Sequence, residues 1–357
     1  MSLHSAPVSS YNEWDPLEEV IVGVIDHACI PQWHISLEAT MPEKSEAVFQ
    51  KGAGHSFPQQ LINLAKNELD QFVKMLVDRG IKVVRPDPID HCRSFHTPNW
   101  KSPGGLYGAM PRDILMVIGD TIIEAPMSWR SRYFEFEAYR PILKDYFRRG
   151  ARWLCGPKPQ LLDVSYNQNY DETDPSTSGK YVASEFEPVF DAADFIRCGK
   201  DIFVQKSHVT NEMGIEWVRR HIGKDYKVHI IEVSDSAPMH IDASFMPLAP
   251  GKLLLNSERV KKIPEMFKNW EIRYAPESTI PLNHPMYMSS SWVSMNIIML
   301  DEKTIVVESQ ETPTIQLFED WGFDVIPLPF RHVMSFGGAF HCVTCDIRRK
   351  GTLQSYF

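Results

Sequence analysis

The chain has 357 residues, 43% of them hydrophobic, 11% aromatic and 23% charged, which excludes global disorder and collagen-like sequence. Its 37 Lys and Arg against 46 Asp and Glu leave a net charge of −9. The resulting long-range field repels phosphates and argues against nucleic acid or an anionic membrane as partner.

Val20 to Ile25 is a continuous apolar run of strand length. Leu61, Leu64, Ala65, Leu69, Phe72, Val73, Leu76 and Val77 recur at helical spacing and predict a helix from Gln60 to Arg79, stopped by Gly80. A strand follows from Ile81 to Arg85. Ile114 to Ile118 and Thr121 to Ile123 flank Gly119-Asp120 and predict a hairpin. Tyr133 to Arg149 predicts a helix with a kink or second start at Pro141. Tyr166 to Lys180 is the most polar stretch and reads as a surface loop or flap. Strands are expected at Asp201 to Gln205, Lys227 to Val233 and Ile241 to Met246, with helices at Asn211 to His221 and Glu258 to Phe267. Met295 to Leu300 and Thr304 to Val307 form a second hairpin, followed by a helix at Thr314 to Trp321 and a strand at Asp324 to Pro327.

A soft rule of about 150 residues per domain gives two domains. The strand-strand-helix-strand rhythm and the lack of a long Gly/Ser linker favour one closed α/β assembly over residues 1–357. No run approaches ~18 apolar residues, so no transmembrane helix is expected. The first ten residues read as neither signal nor transit peptide, and a reducing cytoplasm is the expected setting.

Six cysteines are too few for a disulfide scaffold, and only Cys342 and Cys345 are paired as C-x-x-C. That pair admits a redox dithiol, half of a zinc site, two inert buried thiols, or a nucleophile at Cys342 beside the flexible Gly337-Gly338 loop. His240 and Asp242, two apart on the expected strand, would share a face and offer a base and a carboxylate. Asp191, Asp194 and the Arg112-Asp113 pair add carboxylates near strand ends. Cys, His and carboxylates together suit a thiolate attack on a planar cationic carbon. A guanidinium is the obvious one, because carboxylates bind its N–H fork in bidentate fashion.

At these residues the sequence resembles the L-arginine amidinotransferases, the family of glycine amidinotransferase. The motifs run from Asn12-Glu13-Trp14-Asp15-Pro16 through Gly108-Ala109-Met110-Pro111-Arg112-Asp113, Ser128-Trp129-Arg130-Ser131-Arg132, Phe190-Asp191-Ala192-Ala193-Asp194, Pro238-Met239-His240-Ile241-Asp242 and Met288-Ser289-Ser290. They end at Gly337-Gly338-Ala339-Phe340-His341-Cys342 and Arg348-Arg349-Lys350-Gly351. The resemblance implies the pentein fold, five ββαβ-type units around a central site. It implies Cys342 as nucleophile, His240 as general acid/base and Asp191 as the carboxylate that orients it. Asp113 and Asp242 would hold the guanidinium, and Arg259 and Ser290 the α-carboxylate of arginine. Cys345 matches a cysteine without a catalytic role.

The implied reaction is ping-pong. It takes the amidino group of L-arginine onto Cys342, releases ornithine and passes the group to an acceptor amine, without cofactor or metal. A homodimer is the expected assembly. Ala237, near Met239 on the acceptor-side loop, stands where animal glycine-using members carry Asn. This points to a larger acceptor, such as the long-chain amino ketone of the cyanobacterial saxitoxin-pathway members. Glycine as acceptor, an arginine hydrolase of the same superfamily, and a non-catalytic arginine-binding protein are the alternatives.

Overall fold

Apolar runs of strand length cannot satisfy their backbone groups alone, and here they pair in threes. The computed structural model describes residues 6–357 apart from residues 172, 175, 177, 178, 286, 287 and 289. Ser289 of the Met-Ser-Ser motif and part of the 166–180 stretch therefore lie outside the described residues. Among those described, five three-stranded sheets share one plan. Two strands pair antiparallel, and the third lies parallel to the second.

A parallel neighbour needs a crossover, and a helix supplies it in four of the five units. Leu115–Ile118 and Thr121–Glu124 are followed by the helix Phe136–Arg148 and then Arg152–Cys155. Phe195–Cys198 and Asp201–Gln205 lead through Glu212–His221 to Lys227–Ile231. Ile298–Met299 and Thr304–Glu308 lead through Thr312–Glu319 to Asp324–Leu328. The remaining unit is built from both chain ends. Thr344–Arg349 pairs antiparallel with Leu17–Val22, which leads through Gln59–Asp78 to Lys82–Val84. This repeated ββαβ plan, closed by the two ends, is the pentein fold. Among the described residues no helix is long and apolar enough to cross a membrane.

Several expectations shift. The unit Phe245–Ala249, Lys252–Leu255 and Glu271–Tyr274 crosses over without the helix expected at 258–267, keeping only a turn at Glu265–Phe267. Pro264 precludes a helix there, because it lacks a donor and disfavours helical backbone at Ile263. Residues 241–243 form a turn rather than a strand, so His240 and Asp242 do not share a strand face. Pro141 sits inside a helix that runs on to Arg148. On Gln59–Asp78 the buried face also takes in Ile62 and Glu68, while Leu64 and Val77 face solvent, at the edges of the apolar arc. The hairpin at Gly119-Asp120 forms as expected, with Gly119 at a φ of 62° that suits glycine.

A buried ion network ties the ends to the middle of the chain. Arg197 holds Glu13 through Nε (2.8 Å) and Nη2 (2.6 Å), and Asp346 at 2.7 Å. Arg112 reaches the other oxygen of Asp346 at 2.7 Å, and Arg349 approaches Asp346 at 2.7 Å. Burial works against ionisation of Glu13 and Asp346, but the arginines outweigh it and hold both carboxyls well below the usual range. Depressed carboxylates contribute stability above their unfolded pKa, which is lost as the pH falls through the folded value. Arg197→Met leaves two buried carboxylates under-compensated and should cost about 3–5 kcal/mol. Thermal or urea unfolding checks this; a loss below about 1 kcal/mol would contradict the account.

Candidate active site

A short turn precedes the first strand of each three-stranded sheet. These turns are Pro111–Ile114, Ala192–Asp194, Ile241–Ala243, Ser291–Met295 and residues 340–343. The turn at Ala192–Asp194 packs on both Pro111–Ile114 and Ile241–Ala243, and the latter packs on Ser291–Met295. Pro111–Ile114 in turn meets Thr344–Arg349. Side chains that leave the chain just before a strand therefore converge from five places in the sequence.

They bring Asp113, His240 and Cys342 together, with one oxygen, nitrogen or sulfur from each within 4.8 Å of the others. His240 Nε2 lies 3.1 Å from Asp191 Oδ2, and Nδ1 lies 3.6 Å from Asp113 Oδ1. His240 has a φ of 61°, uncommon for a residue with a side chain. Asp242 Oδ2 stands 3.7 Å from Cys342 Sγ. A cavity of about 460 Å³ opens over His240, Asp242 and Cys342, and Ala237, Met239, Arg259 and Ser290 also line it. Arg259 donates to Ser290 Oγ at 3.3 Å and pairs with Asp235 at 3.0 Å. Asp113 and Asp191 touch His240 from outside the cavity lining, with one Asp113 oxygen within 4.8 Å of Cys342 Sγ, and among the described residues Asp113 Oδ1 has no hydrogen-bond partner. The seven residues given catalytic or substrate-binding roles, with Ala237 and Met239, thus line this cavity or touch His240 beside it, whereas Asp194 is turned to Gln205, Ser207 and Thr210 and Arg112 to the ion network. The cavity rim includes Thr40, Met41, Pro42, Lys44 and Ile280 to Leu282, whereas the described residues of the polar loop expected as a flap do not line it.

The electrostatics are dominated by burial and by an excess of carboxylates. Burial alone would strip His240 of its proton. Asp113, the hydrogen bonds to Asp191 and Cys342, and the charge of Asp191 outweigh it and hold the imidazole well above its ordinary value. Burial raises Asp113, with His240 and Arg132 opposing. Burial also works on Asp242, but His341, His240 and Arg112 keep it below its usual range. The Cys342 thiol is pushed up to about 12, first by burial and then by the charges of Asp242 and Asp113, against His240. The C-x-x-C pair divides: Cys345 Sγ turns away to Leu115 O at 3.5 Å, and both thiols are free.

Sequence reasoning missed four contributors. Arg132 lies 3.0 Å from Asp113 and 3.5 Å from Asp191, clamping both carboxylates behind His240. His341 lies 2.7 Å from Asp242 and 3.3 Å from Glu13, so it joins the site to the buried ion network. Asn296 donates to both Asp242 and Cys342. Arg132, Glu13 and His341 stood inside quoted motifs, and His341 directly precedes Cys342. Asn296 carried no local signal: the sequence reading put it inside the strand expected at Met295 to Leu300, whereas the strand covers only Ile298–Met299 and Asn296 follows the turn Ser291–Met295.

No family model matches the chain. The L-arginine:L-lysine amidinotransferase of Pseudomonas savastanoi pv. phaseolicola is 53% identical over 354 residues, covering 99% of this chain and 98% of that one. The mitochondrial glycine amidinotransferase of Gallus gallus is 51% identical over 359 residues, covering 98% of this chain and 85% of its own. SxtG, an amidinotransferase from Microseira wollei in the saxitoxin biosynthetic pathway, has a solved structure that matches with a TM-score of 0.91 at 48% identity. That match covers 98% of this chain and 100% of the other.

A thiol held near 12 is almost wholly protonated at neutral pH, and only the thiolate alkylates. Alkylation of Cys342 by iodoacetamide, followed on its own peptide by mass, should accelerate about tenfold per pH unit from about pH 7 to 9. A plateau inside that window would contradict the charge balance described.

Proposed function

This chain belongs to the amidinotransferase family, and we propose that it carries the amidino group of L-arginine to a primary amine through an S-amidino intermediate on Cys342. The observation that carries this reading is the grouping of Cys342, His240 and Asp113 within 4.8 Å, two of them facing a cavity that Arg259 and Ser290 also line. The guanidinium of arginine is bound by Asp113 and Asp242, and its α-carboxylate by Arg259 and Ser290. Binding of that cation neutralises the two carboxylates that hold the thiol up, so Cys342 releases its proton to solvent when substrate is present and not before. The thiolate then attacks the guanidino carbon, and the carbon–sulfur bond forms as the bond to the side-chain nitrogen breaks. His240, kept protonated by Asp191 and Asp113, delivers its proton to the leaving nitrogen, and ornithine departs. In the second half an amine attacks the amidino carbon, His240 takes the proton of the amine, and the thiolate is expelled. Each step uses protein side chains alone.

The preferred acceptor is a long-chain amino ketone that already carries a guanidine, as in saxitoxin biosynthesis. The support is the volume of about 460 Å³, the small Ala237, and the partly apolar wall of Met41, Met239, Ile280 and Met288, with the likeness to SxtG. L-Lysine is the second reading, favoured by the 53% identical relative that is named for it; its carboxylate would reuse Arg259 and Ser290. Residues 1–357 act as a single unit on this reading, because both ends share one sheet. A homodimer and a cytoplasmic setting accompany it on the family resemblance.

Arginine supplied with glycine, lysine or the guanidino amino ketone, with products read by mass, decides the acceptor. Ornithine should accumulate only with an accepted amine. Citrulline as main product would indicate a hydrolase, and arginine binding without a mass gain on Cys342 a binding protein. Cys342→Ala should lower turnover by at least about 1,000-fold; retained turnover would sink the proposal.

A further inference from the structure

Four of the five strand-entry turns supply the reacting and guanidinium-binding groups assigned above: Asp113, Asp191, His240 with Asp242, and Cys342. Asp113 and Cys342 stand two residues before their strands, Leu115–Ile118 and Thr344–Arg349. The turn Ser291–Met295 places Asn296 at the same position before Ile298–Met299. Asn296 is 2% exposed. Its Oδ1 accepts from the backbone N–H of both Ala339 and Cys342, each at 3.0 Å. Its Nδ2 donates to Asp242 Oδ2 at 2.6 Å and to Cys342 Sγ at 3.1 Å. Two backbone donors on one side of the amide fix its orientation, because a flipped amide would set N–H groups against N–H groups. Every donor and acceptor of the side chain is then used.

We propose that Asn296 is a catalytic residue of this site, whose Nδ2–H donates to the Cys342 sulfur and stabilises it as thiolate in both half-reactions. A hydrogen bond to an ionised acceptor is roughly twice as strong as one to a neutral acceptor. The contact at 3.1 Å therefore strengthens as Cys342 loses its proton, offsetting Asp242 and Asp113. When the carbon–sulfur bond forms, the sulfur gives up its negative charge and the contact weakens. When the acceptor amine expels the sulfur, the electron pair of that bond returns to Sγ and meets the same donor. The backbone bonds to Ala339 and Cys342 hold the nucleophile turn in register with this donor.

The inference rests on Cys342 being the nucleophile, and its test is scored on the thiol itself. Asn296→Ala removes the donor without adding charge. It should slow alkylation of the Cys342 peptide by iodoacetamide about tenfold at pH 8, move the whole pH profile upward, and lower kcat/KM about 100-fold. A merely structural role would lower the melting temperature and leave the pH dependence of alkylation in place. Asn296→Asp keeps the acceptor for the two backbone N–H groups and serves if the alanine variant does not fold; its profile should move further upward. An alanine profile that superimposes on wild type overturns the proposal. If only the aspartate variant folds, its superimposing overturns it. Wild-type protein that releases no ornithine from arginine would instead count against the amidino-transfer reading, whatever the alkylation shows.

Discussion

The pairing of the two chain ends is the constraint on which the rest of the structure depends. Thr344–Arg349 completes a sheet whose other strands lie more than 250 residues earlier, with Val22 opposite Thr344 and Val20 opposite Asp346. Cys342 stands two residues before that strand, so closing the ring also delivers the sulfur to the centre. The closure is fastened from within: Asp346 on the last strand accepts from Arg112, Arg197 and Arg349, and Glu13 from the first segment shares two of them. Buried ions of this kind are costly to desolvate and give little net stability against an apolar substitute. Their geometry admits one register of the closing strand, and that register sets where the thiol points.

The same network reaches the chemistry. Glu13, His341 and Asp242 form a line of contacts at 3.3 and 2.7 Å from the ion cluster to the cavity. On the opposite side Arg132 clamps Asp113 and Asp191 behind His240. The centre therefore holds more carboxylates than free cations, which keeps His240 charged and the thiol protonated at rest. On the proposed function, the guanidinium of arginine is the cation that balances these carboxylates. Net charge hinted at this only weakly, since a sum of −9 over the chain says nothing about which carboxylates face a cavity.

The alternation of apolar runs and amphipathic segments made the ββαβ rhythm legible, because period and turn chemistry are local. Gly119-Asp120 and the apolar face around Leu69 and Phe72 were read correctly for that reason. Local reading failed where a tertiary partner chose the backbone. Residues 241–243 look like the start of a strand, yet they turn so that Asp242 can meet Asn296 and His341. Glu68 interrupts an apolar face, yet it is buried because it receives the backbone N–H groups of His332 and Val333 ahead of the Gly337–Cys342 loop.

The sequence by itself marked most of the periodic elements and, through motifs shared with a family, singled out Cys342, His240 and the aspartates around them as candidates. Only the tertiary structure decided how they meet. Five turns from distant parts of the chain converge, Asn296 falls into the one position no motif had marked, and burial beside Asp242 and Asp113 sets the charge state of the thiol. Hydrophobic period and turn type are written in neighbouring residues. Desolvation and charge coupling depend on separations through space, and the chain fixes those only when its ends close the ring.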